Sequence, residues 1–144
     1  MYKDILKKIT TRDFLVGIIG LGYVGLPLAK SFTNKDISVL GFDIDISKIK
    51  SINKDKSYIK HISDADIKEM KKKDLFKATE NFSFLKEVDV IIICVPTPLN
   101  LEQEPDLKAV LDTAHTISNY LRKGQLVILE SSTYPGTTDE DLAK

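Results

Sequence analysis

The sequence predicts an α/β fold, a parallel sheet doubly wound with crossover helices, and three observations carry that expectation. Short apolar runs alternate with helix-patterned segments along the chain after residue 14. Two of the runs, Val88 to Val95 and Leu126 to Glu130, are apolar nearly throughout, as strands covered on both faces must be. The first run leads directly into Gly20-Leu21-Gly22-Tyr23-Val24-Gly25, a glycine loop set between a strand-like and a helix-like segment.

Taken in order, residues 1–14 are amphipathic and lysine-bearing, and read as a helical extension ahead of a single domain over 15–144. The first strand is expected at Val16 to Gly20, and Pro27 falls within the first turn of the helix that follows, where its missing N–H costs least. A second strand is expected at Ser38 to Asp43. Ser63 and Asp66 form a capping-box pattern before Ile67 and Met70, with Lys71 to Lys73 at the helix's C-terminal end as a solvated, dipole-compatible cap. Lys77 to Thr79 is a weaker strand, and Val88 to Val95 is the fourth. From about Asp106, residues Leu107, Val110, Leu111, Ala114, Ile117 and Leu121 share one helical face, read as core, and Gly124 ends that helix. Leu126 to Glu130 is the fifth strand, and a further helix is expected after Gly136.

The glycine loop has a specific physical use. Gly20 can make the tight turn, Gly22 lets a pyrophosphate approach bare backbone, and Gly25 lets the following helix pack close to its strand. Asp43, 18 residues after Gly25 at the end of the second strand, can accept hydrogen bonds from the adenosine ribose and would repel a 2′-phosphate. The loop and the acid together read as a pocket for NAD rather than NADP. Taken alone, Asp43 would read as a helix cap or a turn residue.

Composition excludes other classes. A chain of 144 residues with 42% apolar content is one domain's worth, and 21 basic against 21 acidic residues leave no net field toward nucleic acid or an anionic membrane. The longest apolar stretch, Val90 to Val95, is too short to span a bilayer. Cys94 is the single cysteine, which excludes an internal disulfide or multi-cysteine metal site and suits a reducing cytoplasm. Among aliphatic neighbours its thiol is expected to be a poor nucleophile.

Two further segments narrow the reading: Val95-Pro96-Thr97-Pro98-Leu99-Asn100 after the fourth strand, and Glu130-Ser131-Ser132-Thr133-Tyr134-Pro135-Gly136-Thr137-Thr138 after the fifth. With the glycine loop, Leu26-Pro27 and Gly41-Phe42-Asp43, they resemble the Rossmann-type N-terminal domain of the UDP-glucose/GDP-mannose dehydrogenase family, in particular the bacterial UDP-N-acetylglucosamine and UDP-N-acetylmannosamine 6-dehydrogenases. The resemblance implies an enzyme that oxidises a UDP-sugar C6 alcohol twice with two NAD, through an aldehyde and a cysteine-bound thioester, for polysaccharide synthesis. It implies that Gly20, Leu21, Gly22, Tyr23, Val24 and Gly25 hold the pyrophosphate, that Asp43 and Lys48 reach the adenosine ribose, and that Val95, Pro96, Thr97, Pro98 and Leu99 pass beneath the cofactor. Ser132 and Thr133 would contact its nicotinamide half, and Thr133 would place the water or oxygen at the reacting carbon, as a hydroxyl that donates and accepts can.

Bland readings stand beside these. Lys48 reads equally as a helix-surface lysine, Thr97 as a stiffener between two prolines, and Thr133 as an N-cap or turn residue. Glu130 has no assigned role, and His61 and His115 read as ordinary surface or helix residues. The family's nucleophilic cysteine, sixth strand, central dimerising helix and UDP-binding domain have no counterpart in these residues, so the expectation is a cofactor domain without turnover of its own. The alternatives are a free-standing NAD-binding or redox-sensing module acting through a partner, and a β-hydroxyacid or 6-phosphogluconate type dehydrogenase, against which Thr97-Pro98 and Pro135-Gly136-Thr137 argue.

Overall fold

The computed structural model describes residues 2–100 and 105–142. Helix α1 (Tyr2–Thr11) leads into strand β1 (Val16–Ile19), helix α2 (Gly25–Thr33), strand β2 (Val39–Phe42), helices α3 (Ile46–Asn53) and α4 (Asp64–Lys71), and strand β3 (Phe76–Thr79). A 3₁₀ segment at Phe82–Glu87 returns the chain to strand β4 (Val90–Ile93), followed by helix α5 (Lys108–Ser118), strand β5 (Leu126–Leu129) and a π-helical turn at Thr138–Leu142. Ala143 and Lys144, the last residues of the helix expected after Gly136, lie outside the described residues.

The five strands form one parallel sheet in the order β3-β2-β1-β4-β5. β1 is therefore the hinge of the topology: the chain winds outward through β2 and β3, crosses back, and continues on the other side through β4 and β5. Val16 pairs with both Val39 and Val90, and Ile19 with both Phe42 and Ile93. The ends of β1 and β4 diverge into loops running to opposite sides, which opens a crevice at their carboxyl ends.

Alternation along β4 divides the core. Val90 and Ile92 join Ile18, Leu26, Ile52, Ile67 and Phe76 on the face covered by α2, α3 and α4. Ile91 and Ile93 face Phe42, Leu85, Val88 and Ile117 on the side covered by the 3₁₀ segment and α5. Each such side chain, fully buried, is worth about 1.5–3 kcal/mol against exposure.

Local signals hold where the sequence carries them. Ser63 and Asp66 form the reciprocal capping box of α4, and Pro27 lies in the first turn of α2. Lys71, expected as a solvated cap of its own helix, instead reaches α3, donating to the Ile52 and Asn53 carbonyls at 3.3 and 3.2 Å and pairing with Asp55. It satisfies the orphan carbonyls of the neighbouring helix rather than its own.

Two expectations of burial fail on the outer side of the sheet. β5 was expected to be covered on both faces, but it is the edge strand, with Leu126 exposed and the rest half-buried. α5 begins at Lys108; of the expected core stripe Leu107, Val110 and Ile117 are buried and Ala114 is half-buried, while Leu111 is exposed, as is Leu121 beyond the helix end. An edge strand has one neighbour and less helix above it, so apolar composition there does not translate into burial.

Candidate functional site

The crevice at the carboxyl ends of β1 and β4 holds a cavity of about 900 Å³, within the range of small-molecule and cofactor sites. Its wall draws on the glycine loop, the end of β2, the α3–α4 connection, and the ends of β4 and β5.

The glycines differ in what surrounds them. Gly20 has a φ of +92°, and a Cβ there would meet the Cys94 carbonyl oxygen at 2.6 Å, so the turn runs tight against β4. At Gly25 a Cβ would stand 1.8 Å from the Gly20 carbonyl oxygen and against Ile18, which closes the position to any side chain and seats α2 on β1. At Gly22 nothing lies within 4 Å of the would-be Cβ. The missing side chain there leaves room facing the cavity instead of relieving an internal clash, as a pyrophosphate requires at a helix start.

Asp43, just past β2, is 5% exposed. Its Oδ2 accepts the Leu21 N–H at 2.8 Å and Lys48 Nζ at 3.1 Å, and its Oδ1 accepts the Asp45 N–H at 2.9 Å. The acid is thus bound to the glycine loop before any ligand arrives. Lys48 is no free surface lysine: α3, N-capped by the Asp45 side chain on the Ser47 N–H at 2.9 Å, brings it back onto Asp43. Hydrogen bonds from Ser47 hold the Asp45 carboxyl below its ordinary range, so it stays a charged cap.

On the other side of β1, Cys94 follows β4 and lines the cavity floor, its N–H on the Ile19 carbonyl at 2.8 Å. Burial, with a smaller effect of the Glu130 charge, pushes its thiol up to about 11, as expected of an unreactive cysteine. Val95, Pro96 and Thr97 continue along the wall, while Pro98 and Leu99 lie beyond it. Ser131 ties the two strand ends together, its hydroxyl donating to the Val95 carbonyl at 2.7 Å. Glu130, Ser131 and Ser132 line the cavity; Thr133 lies one residue past the lining. The N-cap alternative for Thr133 finds no helix, since the next helical turn starts at Thr138. His61 and His115 are exposed and outside the crevice.

Sequence reasoning missed Tyr58 and Phe82. Tyr58, from the α3–α4 connection, lines the cavity and donates to the Leu21 carbonyl at 2.7 Å. Phe82 lines it from the 3₁₀ segment and packs on Phe42 with ring centroids 5.6 Å apart. No short motif announces either residue. Among the described residues no cluster could hold a metal ion, and no helix is long and apolar enough to cross a membrane.

A parallel sheet of order 3-2-1-4-5, with a glycine loop opening onto its switch point and an acid on the adjoining strand end, defines a dinucleotide-binding domain. The chain belongs to the UDP-glucose/GDP-mannose dehydrogenase family: the family's NAD binding domain matches residues 14–144. NAD is the cofactor of this domain. The UDP-N-acetyl-D-glucosamine 6-dehydrogenase of Pseudomonas aeruginosa is 38% identical over 130 residues, covering 90% of this chain and 30% of that protein. The UDP-N-acetyl-D-mannosamine dehydrogenase of Pyrococcus horikoshii is 38% identical over 129 residues, 87% of this chain and 30% of that protein. Its solved structure superposes with a TM-score of 0.80 over 86% of this chain and 30% of that one. A ternary complex of the GDP-mannose dehydrogenase of Pseudomonas aeruginosa superposes with a TM-score of 0.83 at 28% identity, over 88% of this chain and 30% of that one. The chain therefore spans about 30% of the length of these relatives, their NAD-binding part.

Proposed function

We propose that this chain is the cofactor domain of a nucleotide-sugar 6-dehydrogenase, an NAD-dependent oxidoreductase that converts the C6 alcohol of a UDP-sugar to the uronic acid with two NAD, for polysaccharide synthesis. The observation that carries the reading is the open cradle at Gly22 beside the preassembled Asp43, in a chain of this family. UDP-N-acetylglucosamine, UDP-N-acetylmannosamine and UDP-glucose are the candidate substrates. Relatives named for the first two both align at 38% identity, so identity does not separate those two sugars.

In this reading the residues from Gly20 to Gly25 take the pyrophosphate, and Asp43 with Lys48 takes the adenosine ribose. Their ion pair supports that role, since one lysine positions the carboxylate for the sugar hydroxyls. Val95 to Thr97 run under the dinucleotide, and Pro98 turns the chain away. Ser132 and Thr133 serve the nicotinamide half, with Thr133 placing the reacting oxygen; the lining position of Ser132 supports this. Bound NAD supplies a hydride acceptor, and the residues present here orient it and shield its lower face. Residues 1–14 form an extension leading into the family domain, supported by α1 ending at Thr11 and by the family match, which begins at residue 14 itself. A cytoplasmic setting suits the lone buried thiol.

By itself the chain binds NAD without turnover, because it spans only about 30% of its relatives' length, their NAD-binding part, and its single cysteine is buried and a poor nucleophile for a thioester. The test is spectrophotometric. The purified chain with NAD and each UDP-sugar is expected to form no NADH. A chimera placing residues 14–144 into the Pseudomonas aeruginosa relative is expected to form two NADH per sugar. Turnover by the chain alone, or a folded, NAD-binding chimera without turnover, would contradict the proposal.

A further inference from the structure

The hydrogen bond from the Tyr58 hydroxyl to the Leu21 carbonyl, 2.7 Å across 37 residues of sequence, has no part in the glycine motif or in the acid that follows it. Leu21 already gives its N–H to Asp43 at 2.8 Å, so both backbone polar groups of this loop residue are held, from two different segments. The described residues contain no cis peptide bond, and in a planar trans peptide the carbonyl and the N–H point to opposite sides. The Leu21 carbonyl and the Gly22 N–H belong to one peptide. Fixing the carbonyl on Tyr58 therefore fixes the direction of the Gly22 N–H, at the one loop glycine with open space around it on the cavity wall.

We propose that Tyr58 is a positioning residue for the dinucleotide: it anchors the Leu21–Gly22 peptide so that the Gly22 N–H is aimed at the pyrophosphate before the cofactor arrives. The inference rests on the NAD reading of the crevice.

Tyr58 has a stiff support. Ile59 and Ile62 on either side of the bend are buried in the core. The Ser57 N–H donates to Asp64 Oδ1 at 2.8 Å, and Lys56 pairs with the same carboxylate at 2.7 Å, which ties the connection to the start of α4. The Ser57 hydroxyl and the Ile59 backbone exchange hydrogen bonds at 3.1 Å. Burial, with the Asp43 and Asp45 carboxylates nearby, raises the phenol above its ordinary value, so it remains a donor at neutral pH. A loop held in its binding geometry loses less entropy when the ligand docks.

The experiment is a calorimetric titration of the 144-residue chain and of Tyr58→Phe with NAD, ADP-ribose and adenosine, together with the Gly22 amide resonance during NAD addition. The phenylalanine keeps the ring and removes only the donor. The expected result is a loss of about five- to tenfold for NAD and ADP-ribose, the scale of one hydrogen bond, with adenosine changed by less than about twofold. In the unaltered chain the Gly22 amide should show one of the largest NAD-induced shifts, and a smaller one in the variant. Equal NAD affinity in both proteins, equal weakening of all three ligands, or a Gly22 amide indifferent to NAD in the unaltered chain would each overturn the role of Tyr58. Failure of the unaltered chain to bind NAD would overturn the crevice reading itself, and this role with it.

Discussion

The Asp43 carboxylate accepts the Leu21 backbone N–H at 2.8 Å, so the acid at the end of the second strand and the glycine loop after the first form one unit. Asp43 therefore holds the loop's entry peptide through one oxygen, on which Lys48 Nζ also donates at 3.1 Å, while the Asp45 N–H donates to the other.

Replacing Asp43 should damage fold and ligand binding together. Asp43→Asn keeps the shape but loses the charge that Lys48 and two backbone N–H groups share. The expected cost is about 1–3 kcal/mol in urea unfolding, with NAD affinity reduced about tenfold. A variant with unaltered stability would show that the carboxylate's charge contributes nothing.

The glycines separate by mechanism. Gly25→Ala would press a methyl into the Gly20 carbonyl, 1.8 Å from the ideal Cβ, and should lower stability by at least about 2 kcal/mol. Gly22→Ala enters open space and should leave stability within about 0.5 kcal/mol while reducing NAD affinity more than about tenfold. The measurement pairs thermal unfolding with calorimetry for each variant; a Gly22→Ala protein that binds NAD normally would remove the pyrophosphate from that position.

How much of this was legible in sequence depends on the reach of each signal. The glycine loop, Asp43 and the Ser63–Asp66 box are local, their spacing set within one strand–helix–strand unit or one helical turn. Tyr58 was silent because its meaning lies 37 residues away at Leu21. Leu111 and Leu126 misled for a related reason: periodicity and apolar content report which side a residue faces, not whether anything covers it, and β5 is an edge.

Acid should act on the α4 cap. A hydrogen bond from Lys30, together with those from the Ser63 N–H and hydroxyl, lowers the Asp66 carboxyl to about 2 in the folded chain, from an ordinary 3.8. Because the folded value is depressed, the stability Asp66 contributes is fully present above about pH 4 and is lost as the pH falls from there toward 2. The stability difference between the parent and Asp66→Asn, followed by urea unfolding, should be constant from pH 7 to 5, shrink as the pH falls below about 4, and go on shrinking through pH 2. A difference independent of pH would assign the loss to geometry instead of charge.

The most direct test of the central claim is a calorimetric titration of the 144-residue chain with NAD beside NADP. Saturable binding of one NAD, at least about tenfold tighter than NADP because a 2′-phosphate would meet the Asp43 carboxylate, is the predicted result. A folded chain that gives no NAD isotherm, or that binds the two dinucleotides alike, would contradict it.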